Sequence, residues 1–233
     1  MKILGIDSSA KSASVAVTDD YKVLGSYYTN TGLTHSQTLM PMIENLMKNI
    51  NITIDDIDLI AVNKGPGSFT GIRIGVAAAK GIADVKKIPV YGASTLASMA
   101  YNLIDTDCTV CCVMDARCKQ VYNAFFDISD GKIKRLTPDN ADSIENVINI
   151  FKNYKKIKFF VGDGAEICYN SLNDVNDMKI ASQTHRFQSA IGVCFEALNA
   201  PTDQYIESSL LVPEYLRLPQ AERELNKKLG ACK

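Results

Sequence analysis

Glycine residues cluster in the segment GPGSFTGIRIG, which runs from residue 65 to residue 75. A glycine loop between a strand and a helix can hold an anion on the free N–H groups of the helix. The spacing here matches neither of the familiar phosphate-binding patterns. No Gly-Lys pair follows Gly65 at the P-loop distance, and Gly71 comes one position too late for a dinucleotide fingerprint. The pattern favours a tight helix start, in which glycines meet backbone demands and Ser68 or Thr70 caps the helix.

Four cysteines cluster between residues 108 and 118, and Cys108-Thr-Val-Cys111 has a spacing that zinc sites use. The stretch TVCCVM predicts a buried strand, however, on which ligands three apart point to opposite faces. No second CxxC or nearby histidine completes a zinc set, because His35 and His185 are isolated. We therefore predict buried, reduced thiols, which suits the odd total of seven cysteines.

The bulk properties are those of an ordinary soluble protein. The 233 residues, 46% of them hydrophobic, are enough for one large domain or two small ones. A net charge of −1 and a pI of about 6.1 argue against strong nucleic-acid binding by this chain alone. Neither end carries a signal-like segment, and no apolar run approaches the roughly 18 residues of a membrane span. These properties predict a cytoplasmic protein that does not contact a membrane.

Hydrophobic periodicity predicts a similar order of elements in the two halves of the chain. The first hundred residues indicate three strands, a helix with core positions Leu39, Ile43, Leu46 and Ile50, and two strand–helix pairs. The order βββαβα then recurs from residue 108, and QSAIGVCFEAL predicts a late helix. A repeat of this length indicates two related lobes rather than a solenoid.

The predicted domains are two lobes and a tail. The N-terminal lobe covers residues 1–104, the second lobe residues 105–203, and the C-terminal tail residues 204–233, which are expected to pack back on the first lobe. Two such lobes describe an α/β protein with the actin-like ATPase (ASKHA, ribonuclease H-like) fold. That fold alone does not establish nucleotide binding.

Aspartates lie where the actin-like fold handles a nucleotide. In that fold the first hairpin of each lobe pinches the phosphates, with an aspartate on each side for magnesium. Asp7 and Asp115 both end apolar strands and are 108 positions apart. The residues predicted for a vestigial nucleotide cleft are Asp7, Ser8, Asp115, Arg117, Gly162, Asp163 and Gly164.

Six motifs together resemble the bacterial TsaB family, also called YeaZ. They are IDSS, HSQTLMPMIENLM, GPGSFTGIRIGVAAAKGIA, the DAR motif at 115–117, GDGA and PEYLR, in that order over nearly the whole chain. The resemblance implies a non-catalytic partner in making N6-threonylcarbamoyladenosine at position 37 of tRNAs that read ANN codons. It implies binding to the paralogue TsaD, which carries the active site, and to the ATPase TsaE. It also implies that this chain has no cofactor of its own, that ATP and a divalent metal belong to the partner subunits, and that tRNA is contacted only through the complex.

The catalytic paralogue offers an internal comparison. TsaD follows its glycine loop and helix with P-x-x-G-V-N-H-x-x-x-H, whose two histidines hold the catalytic metal. The corresponding stretch here begins at Pro89 and places Thr95 and Met99 at the two ligand positions. Neither residue suits a hard divalent ion or iron. We therefore predict no metal site, and a metallopeptidase activity is disfavoured.

The helix after the glycine loop is apolar over too wide an arc to cover only a sheet. At about 100° per residue its apolar side chains span roughly 220°, whereas a helix that packs on one sheet needs a stripe nearer 100°. Arg73, Lys80 and Asp84 leave only a narrow polar stripe. In the preceding helix Met40 and Met47 flank the core positions, and methionine adapts to irregular partner surfaces. The two helices together predict a helix-to-helix docking face.

The candidate functional residues fall into two further sets. The glycine loop comprises Gly65, Pro66, Gly67, Ser68, Phe69, Thr70 and Gly71. The predicted partner interface comprises His35, Met40, Met47, Arg73, Ile74, Ala78, Ile82 and Val85. Two alternatives stay open: an ATP-binding actin-like phosphotransferase or ATPase that acts alone, and a homodimer that pairs the same helices in the absence of TsaD.

Overall fold

The computed structural model of the chain describes residues 1–172 and 177–217. Its first half contains a five-stranded sheet with the order β3-β2-β1-β4-β5. These strands span Lys2–Asp7, Ala13–Asp19, Lys22–Thr29, Leu59–Gly65 and Val90–Ser94, numbered β1 to β5 in chain order. The first three strands pair antiparallel, whereas β4 pairs parallel with both β1 and β5.

The second half contains a six-stranded sheet with the same plan. Its strands β6 to β11 span Cys108–Asp115, Gln120–Ser129, Lys132–Arg135, Asn140–Ser143, Lys158–Val161 and Met178–Ile180. Their order is β11-β10-β6-β7-β8, and the short β9 also pairs with β7. In both sheets an antiparallel meander continues into parallel strands on the other side of the first strand. This duplication confirms the predicted two-sheet, actin-like fold class.

Helices form layers on and between the sheets. The seven α-helices of the described residues, α1 to α7, span His35–Asn49, Phe69–Lys86, Thr95–Ala100, Ile144–Lys152, Ala165–Tyr169, Gln183–Arg186 and Ala190–Asn199. Helices α1 and α2 cover one face of the first sheet, and α7 covers the other. Helix α3 packs between the two sheets, and α4 and α5 cover the outer face of the second. The order is therefore helix, sheet, helix, sheet, helix.

The amphipathic pattern of α1 explains its packing. Leu39, Ile43 and Leu46 recur at helical spacing and are buried against the first sheet, as predicted. Met42 is buried with them. Ile50, the fourth predicted core position, lies just beyond the last helical residue and is only partly buried.

Helix α7 returns to the first lobe from late in the chain. It was predicted as a helix within the range 105–203, yet it packs on the first sheet. A Cβ at Gly5 would lie 2.5 Å from the Ala190 carbonyl oxygen, so glycine allows α7 to approach β1. The N–H of Ala190 also donates to Ser14 Oγ over 2.8 Å.

The domain limits remain predictions, and residues 218–233 of the predicted tail lie outside the described part of the chain.

The cysteine cluster forms part of the core. Cys108, Cys111 and Cys112 are completely buried on β6, and Cys118 is exposed in the turn that follows. Burial raises the pKa of the Cys108 thiol to about 11. The prediction of buried thiols on this strand is therefore confirmed.

Candidate docking site and interlobe cleft

The glycine loop joins β4 to α2 in a confined space. Gly65 and Gly67 have φ angles of 139° and 156°, which side chains rarely adopt. A Cβ at Gly65 would also lie 2.2 Å from the Glu214 carbonyl oxygen. Ser68 caps α2 and its Oγ accepts the N–H of Gly71 over 3.3 Å, so one of the two predicted caps is confirmed.

A cleft of about 460 Å³ lies between the lobes beside this loop. Five segments line it: the β1–β2 turn, the glycine loop, the β6–β7 turn, the β10–α5 turn and the C-terminal segment, by which we mean residues 208–217. Most of the glycine loop therefore faces the cleft between the lobes. The lining residues from that loop are Pro66, Gly67, Ser68, Phe69 and Thr70.

Asp7, the first predicted magnesium ligand, does not line this cleft. Its side chain is completely buried, and its Oδ1 accepts the N–H and hydroxyl of Ser9 and the Nδ2 of Asn63. Burial raises the pKa of the Asp7 carboxyl above its usual value, although these donors oppose the effect. Ser8 is also buried and donates to the Gly71 carbonyl oxygen over 2.8 Å. Ser8 therefore holds the β1–β2 turn against α2, and Asp7 connects this turn to Asn63 on β4.

The other predicted cleft residues are closer to the cavity. Asp115, Arg117 and Asp163 line it. Asp115 Oδ1 accepts the N–H of Arg117 over 2.7 Å, and Asp163 Oδ1 accepts from Gln188 over 3.1 Å. Because Asp7 is enclosed, the two aspartates do not form an open pair on either side of the cleft. The described residues therefore do not fit a magnesium nucleotide in the manner predicted from the fold.

Gly162 and Gly164 serve the packing of the second lobe. Gly162 has a φ angle of 112°, and a Cβ there would lie 1.9 Å from the Val113 carbonyl oxygen. The N–H of Gly164 donates to the same oxygen over 3.2 Å. This turn therefore packs closely on β6.

The C-terminal segment covers the polar stripe of α2. Lys80 Nζ donates to the Ser209 and Leu211 carbonyl oxygens, each over 3.1 Å. Arg73 Nε donates to the Tyr215 hydroxyl over 2.8 Å. Arg73, predicted as a partner contact, is thus engaged within the chain.

The same segment reaches from the glycine loop to the second lobe. The rings of Phe69 and Tyr215 stack with their centroids 4.3 Å apart, and the N–H of Glu214 donates to the Lys64 carbonyl oxygen over 2.7 Å. Arg217 Nη1 then donates to the Ala116 carbonyl oxygen over 2.6 Å. The PEYLR motif is recognisable in the sequence, but these individual contacts were not predicted from it.

Two apolar rows on α2 lie beside the polar stripe that the C-terminal segment covers. Ile74, Ala78 and Ile82 form one row at four-residue spacing and are partly buried against the core. The adjacent row, Ala77, Gly81 and Val85, is exposed, and Val85 has 76% of its surface accessible. A Cβ at Gly81 would meet no described atom within 4 Å. We call these six residues the docking stripe.

Helix α1 carries the other predicted interface residues, and their contact with a partner stays a prediction. Met40 is 48% exposed, whereas Met47 packs partly against the core. His35 Nε2 lies 2.7 Å from the Ala10 carbonyl oxygen, and its Nδ1 is buried. His35 therefore fixes the start of α1 to the β1–β2 turn.

Comparisons with known proteins identify the family. A family model described as TsaD, tRNA N6-adenosine threonylcarbamoyltransferase, matches residues 29–230. A relative from Bacillus subtilis (strain 168), described as tRNA threonylcarbamoyladenosine biosynthesis protein TsaB, is 30% identical over 226 residues, which are 95% of this chain and 96% of that protein. The chain belongs to the TsaB family. A TsaB protein from Escherichia coli (strain K12) is 35% identical over 124 residues, covering 52% of this chain and 53% of that protein.

Solved structures agree with the TsaB fold. YeaZ from Pseudomonas aeruginosa aligns with a TM-score of 0.79 and 22% identity, covering 92% of this chain and 99% of that chain. Component A of (R)-2-hydroxyglutaryl-CoA dehydratase from Acidaminococcus fermentans aligns with a TM-score of 0.53 and 12% identity, covering 86% of this chain and 97% of that chain. At these identities the likeness concerns the fold alone.

The two positions at which the resemblance led us to expect no metal ligand lie inside the protein. Thr95 and Met99 are completely buried in α3. Within residues 1–172 and 177–217, no group of three or more His, Cys, Asp or Glu side chains is arranged to hold a metal ion. Over the same residues, no helix is both long and apolar enough to cross a membrane.

Proposed function

We propose that this chain is a non-catalytic subunit that binds a TsaD protein through the docking stripe and acts with it, and with TsaE, in tRNA threonylcarbamoyladenosine formation. The product would be N6-threonylcarbamoyladenosine at position 37 of tRNAs that read ANN codons. ATP and the divalent metal would be held by the partner subunits, and tRNA would be reached only through the complex. The complex would act in the cytoplasm.

The exposed row on α2 carries this proposal. Ala77, Gly81 and Val85 place small or apolar side chains outward at four-residue spacing, although the core of this chain does not require them. Rows of this spacing interlock with the corresponding ridges of a second helix. A glycine in such a row allows the two backbones to approach closely. A partner with the same fold would present an equivalent helix, and the match of this chain to the TsaD family model supports a TsaD protein as that partner.

A charge in the exposed row tests docking without disturbing the core. Because Ala78 and Ile82 are partly buried, we choose Val85→Glu. Mixed with the TsaD protein of the same organism, the unaltered chain should sediment as a heterodimer, whereas Val85→Glu should remain free. Ile150→Glu is the matched control, since Ile150 is an exposed branched residue on α4 in the second lobe. Equal association of both variants would contradict the proposal.

The same sedimentation experiment addresses self-association. In the absence of TsaD, a concentration-dependent dimer that Val85→Glu abolishes would place the homodimer on the same stripe. Addition of TsaD should then convert that dimer into the heterodimer.

The enclosed carboxylate of Asp7 argues against a phosphotransferase or ATPase that acts alone. That alternative requires nucleotide binding by the isolated chain and turnover that Asp7→Ala abolishes. Calorimetry of the isolated chain with magnesium ATP should show no micromolar binding. Micromolar binding with turnover would favour the alternative.

A further inference from the structure

A second groove between the lobes has no part in the docking stripe or in the cleft beside the glycine loop. Its volume is about 450 Å³, and it shares no lining residue with that cleft. The walls include the aromatic rings of Tyr91 on β5, Tyr101 after α3 and Phe126 on β7. Asn199, Pro201 and Gln204 form an exposed rim. The volume lies within the range of sites for small molecules.

Glu196 on α7 is a partly buried residue that lines this groove. Its Oε1 accepts the N–H of Ser94 over 3.0 Å and the hydroxyl of Tyr91 over 3.3 Å. Its Oε2 is closed to solvent and has no hydrogen-bond partner among the residues that the structure describes. Burial raises the pKa of this carboxyl to about 8. A buried acceptor without a donor is uncommon in folded proteins, which calls for a physical explanation.

Arg135, the positively charged residue beside Glu196, already has other partners. Arg135 Nη1 forms an ion pair with Asp139, and Nη2 donates to Ser94 Oγ over 3.1 Å. The guanidinium also lies over the Phe126 ring, 4.9 Å from its centroid. An ionised Glu196 would therefore add one negative charge that the groove does not balance. A bound cation would supply that balance.

We propose that this groove binds an alkylammonium group, whose N–H donors pair with Glu196 and whose carbon atoms pack among Tyr91 and Tyr101. Aromatic faces attract ammonium ions through their quadrupoles, and the attraction grows when water is excluded. A hard divalent cation fits less well, because it requires six or more oxygen ligands or several retained waters. Because Oε2 is closed to solvent, entry of the ligand requires local movement of the side chains that cover this atom. The group belongs either to a free amine or to the lysine side chain of another protein.

The backbone N–H of Ser94 donates to Glu196, so its NMR resonance should change when a ligand binds to that carboxylate. We would follow its resonance in ¹H–¹⁵N NMR spectra during titration with n-butylammonium, with neutral n-butanol as the uncharged control. The ammonium should shift this resonance saturably and n-butanol should not. Glu196→Gln should weaken the ammonium response about tenfold or more, because it removes the charge that strengthens the hydrogen bond. Glu207→Gln removes an exposed carboxylate outside the groove and should bind as the unaltered chain does.

Affinity should also depend on pH. The ammonium keeps its charge up to about pH 10, as a lysine does, whereas Glu196 ionises near pH 8. Binding should therefore tighten as the pH rises from 6 to 8. The titratable groups that face Glu196 are Tyr91, Tyr101, Arg135 and Asp139, and the tyrosines remain neutral over this range because burial raises their pKa values.

A parallel titration with N-acetyl-lysine amide distinguishes the two sources of the ligand. Tighter binding than n-butylammonium would indicate a lysine side chain, and weaker binding a free amine. The proposal is overturned if neither probe shifts the Ser94 resonance saturably. It is also overturned if n-butanol acts as well as the ammonium, or if a folded Glu196→Gln protein binds the ammonium with unchanged affinity.

Discussion

Substitutions at Gly81 test the docking stripe, because we expect them to raise the stability of the free protein, and a large side chain there also to weaken its binding to TsaD. The residue lies inside α2, is exposed, and a Cβ there would meet no described atom within 4 Å. Replacing glycine by alanine in a helix interior contributes about 1 kcal/mol to stability. In a chain of this length that gain corresponds to a rise in melting temperature of roughly 2–4 °C. The free Gly81→Ala protein should therefore be more stable than the unaltered chain.

Gly81→Leu separates folding from docking more sharply. Leucine is almost as good a helix former as alanine, so the free protein should again gain stability. In the complex, however, the leucine would occupy the space into which a second helix packs. Forcing extra atoms into a packed contact costs about 1–3 kcal/mol, which weakens association roughly 5- to 150-fold.

The assay pairs thermal denaturation with calorimetric titration against the TsaD protein. Asn149→Leu on α4 is the matched control, since it places the same side chain on an exposed helical position of the second lobe. The control should bind TsaD normally. If Gly81→Leu lowers the melting temperature, the assignment of open space at this position is wrong. If it melts higher and binds TsaD with unchanged affinity, α2 is not the docking helix.

Three further predictions concern other parts of the molecule. Tyr215→Ala should lower the free energy of unfolding by about 1–2 kcal/mol, because it removes the stack on Phe69. Tyr215→Phe keeps the ring and should retain most of that energy. If urea denaturation shows equal losses for the two variants, the ring has no role in stability. Because the pKa of Glu196 rises from 4.5 to about 8 on folding, the folded state holds its proton more tightly, so stability should fall as the pH rises from 5 to 8. Glu196→Gln should reduce that slope in denaturation series, and an unchanged slope would contradict the assignment. Among the described cysteines, iodoacetamide should modify Cys118 in the native protein and reach buried thiols such as Cys111 only after unfolding, as peptide mass spectrometry would show.

Local patterns in the sequence account for most elements of the fold. The helical spacing of Leu39, Ile43 and Leu46 and the apolar strand at Cys108–Asp115 are each encoded within a few residues. Because hydrophobic periodicity reports burial directly, the order of strands and helices could be predicted from it. The short strand β9, Asn140–Ser143, was missed, since its sequence NADS has no apolar alternation.

Contacts between distant segments could not be predicted in this way. Arg73 was expected to face a partner, but its neighbour Tyr215 lies 142 positions later in the chain. Asp7 was expected in the cleft, yet Asn63 and Ser9 enclose it. The second groove collects residues from β5, α3, β7, β8 and α7, and no local motif joins them. Tertiary packing determines where such residues lie, and the local pattern of a single sequence does not reveal that packing.

The late return of the chain to the first lobe has a consequence for synthesis on the ribosome. The face of the first sheet that α7 covers is complete in sequence by β5, but α7 begins at Ala190. At roughly 5–20 residues per second, translation leaves this apolar face uncovered for about 5–20 s. The nascent protein therefore completes the packing on its first sheet only after strands β6 to β11 have been synthesised, and a product that terminated before α7 would display a surface suited to capture by chaperones.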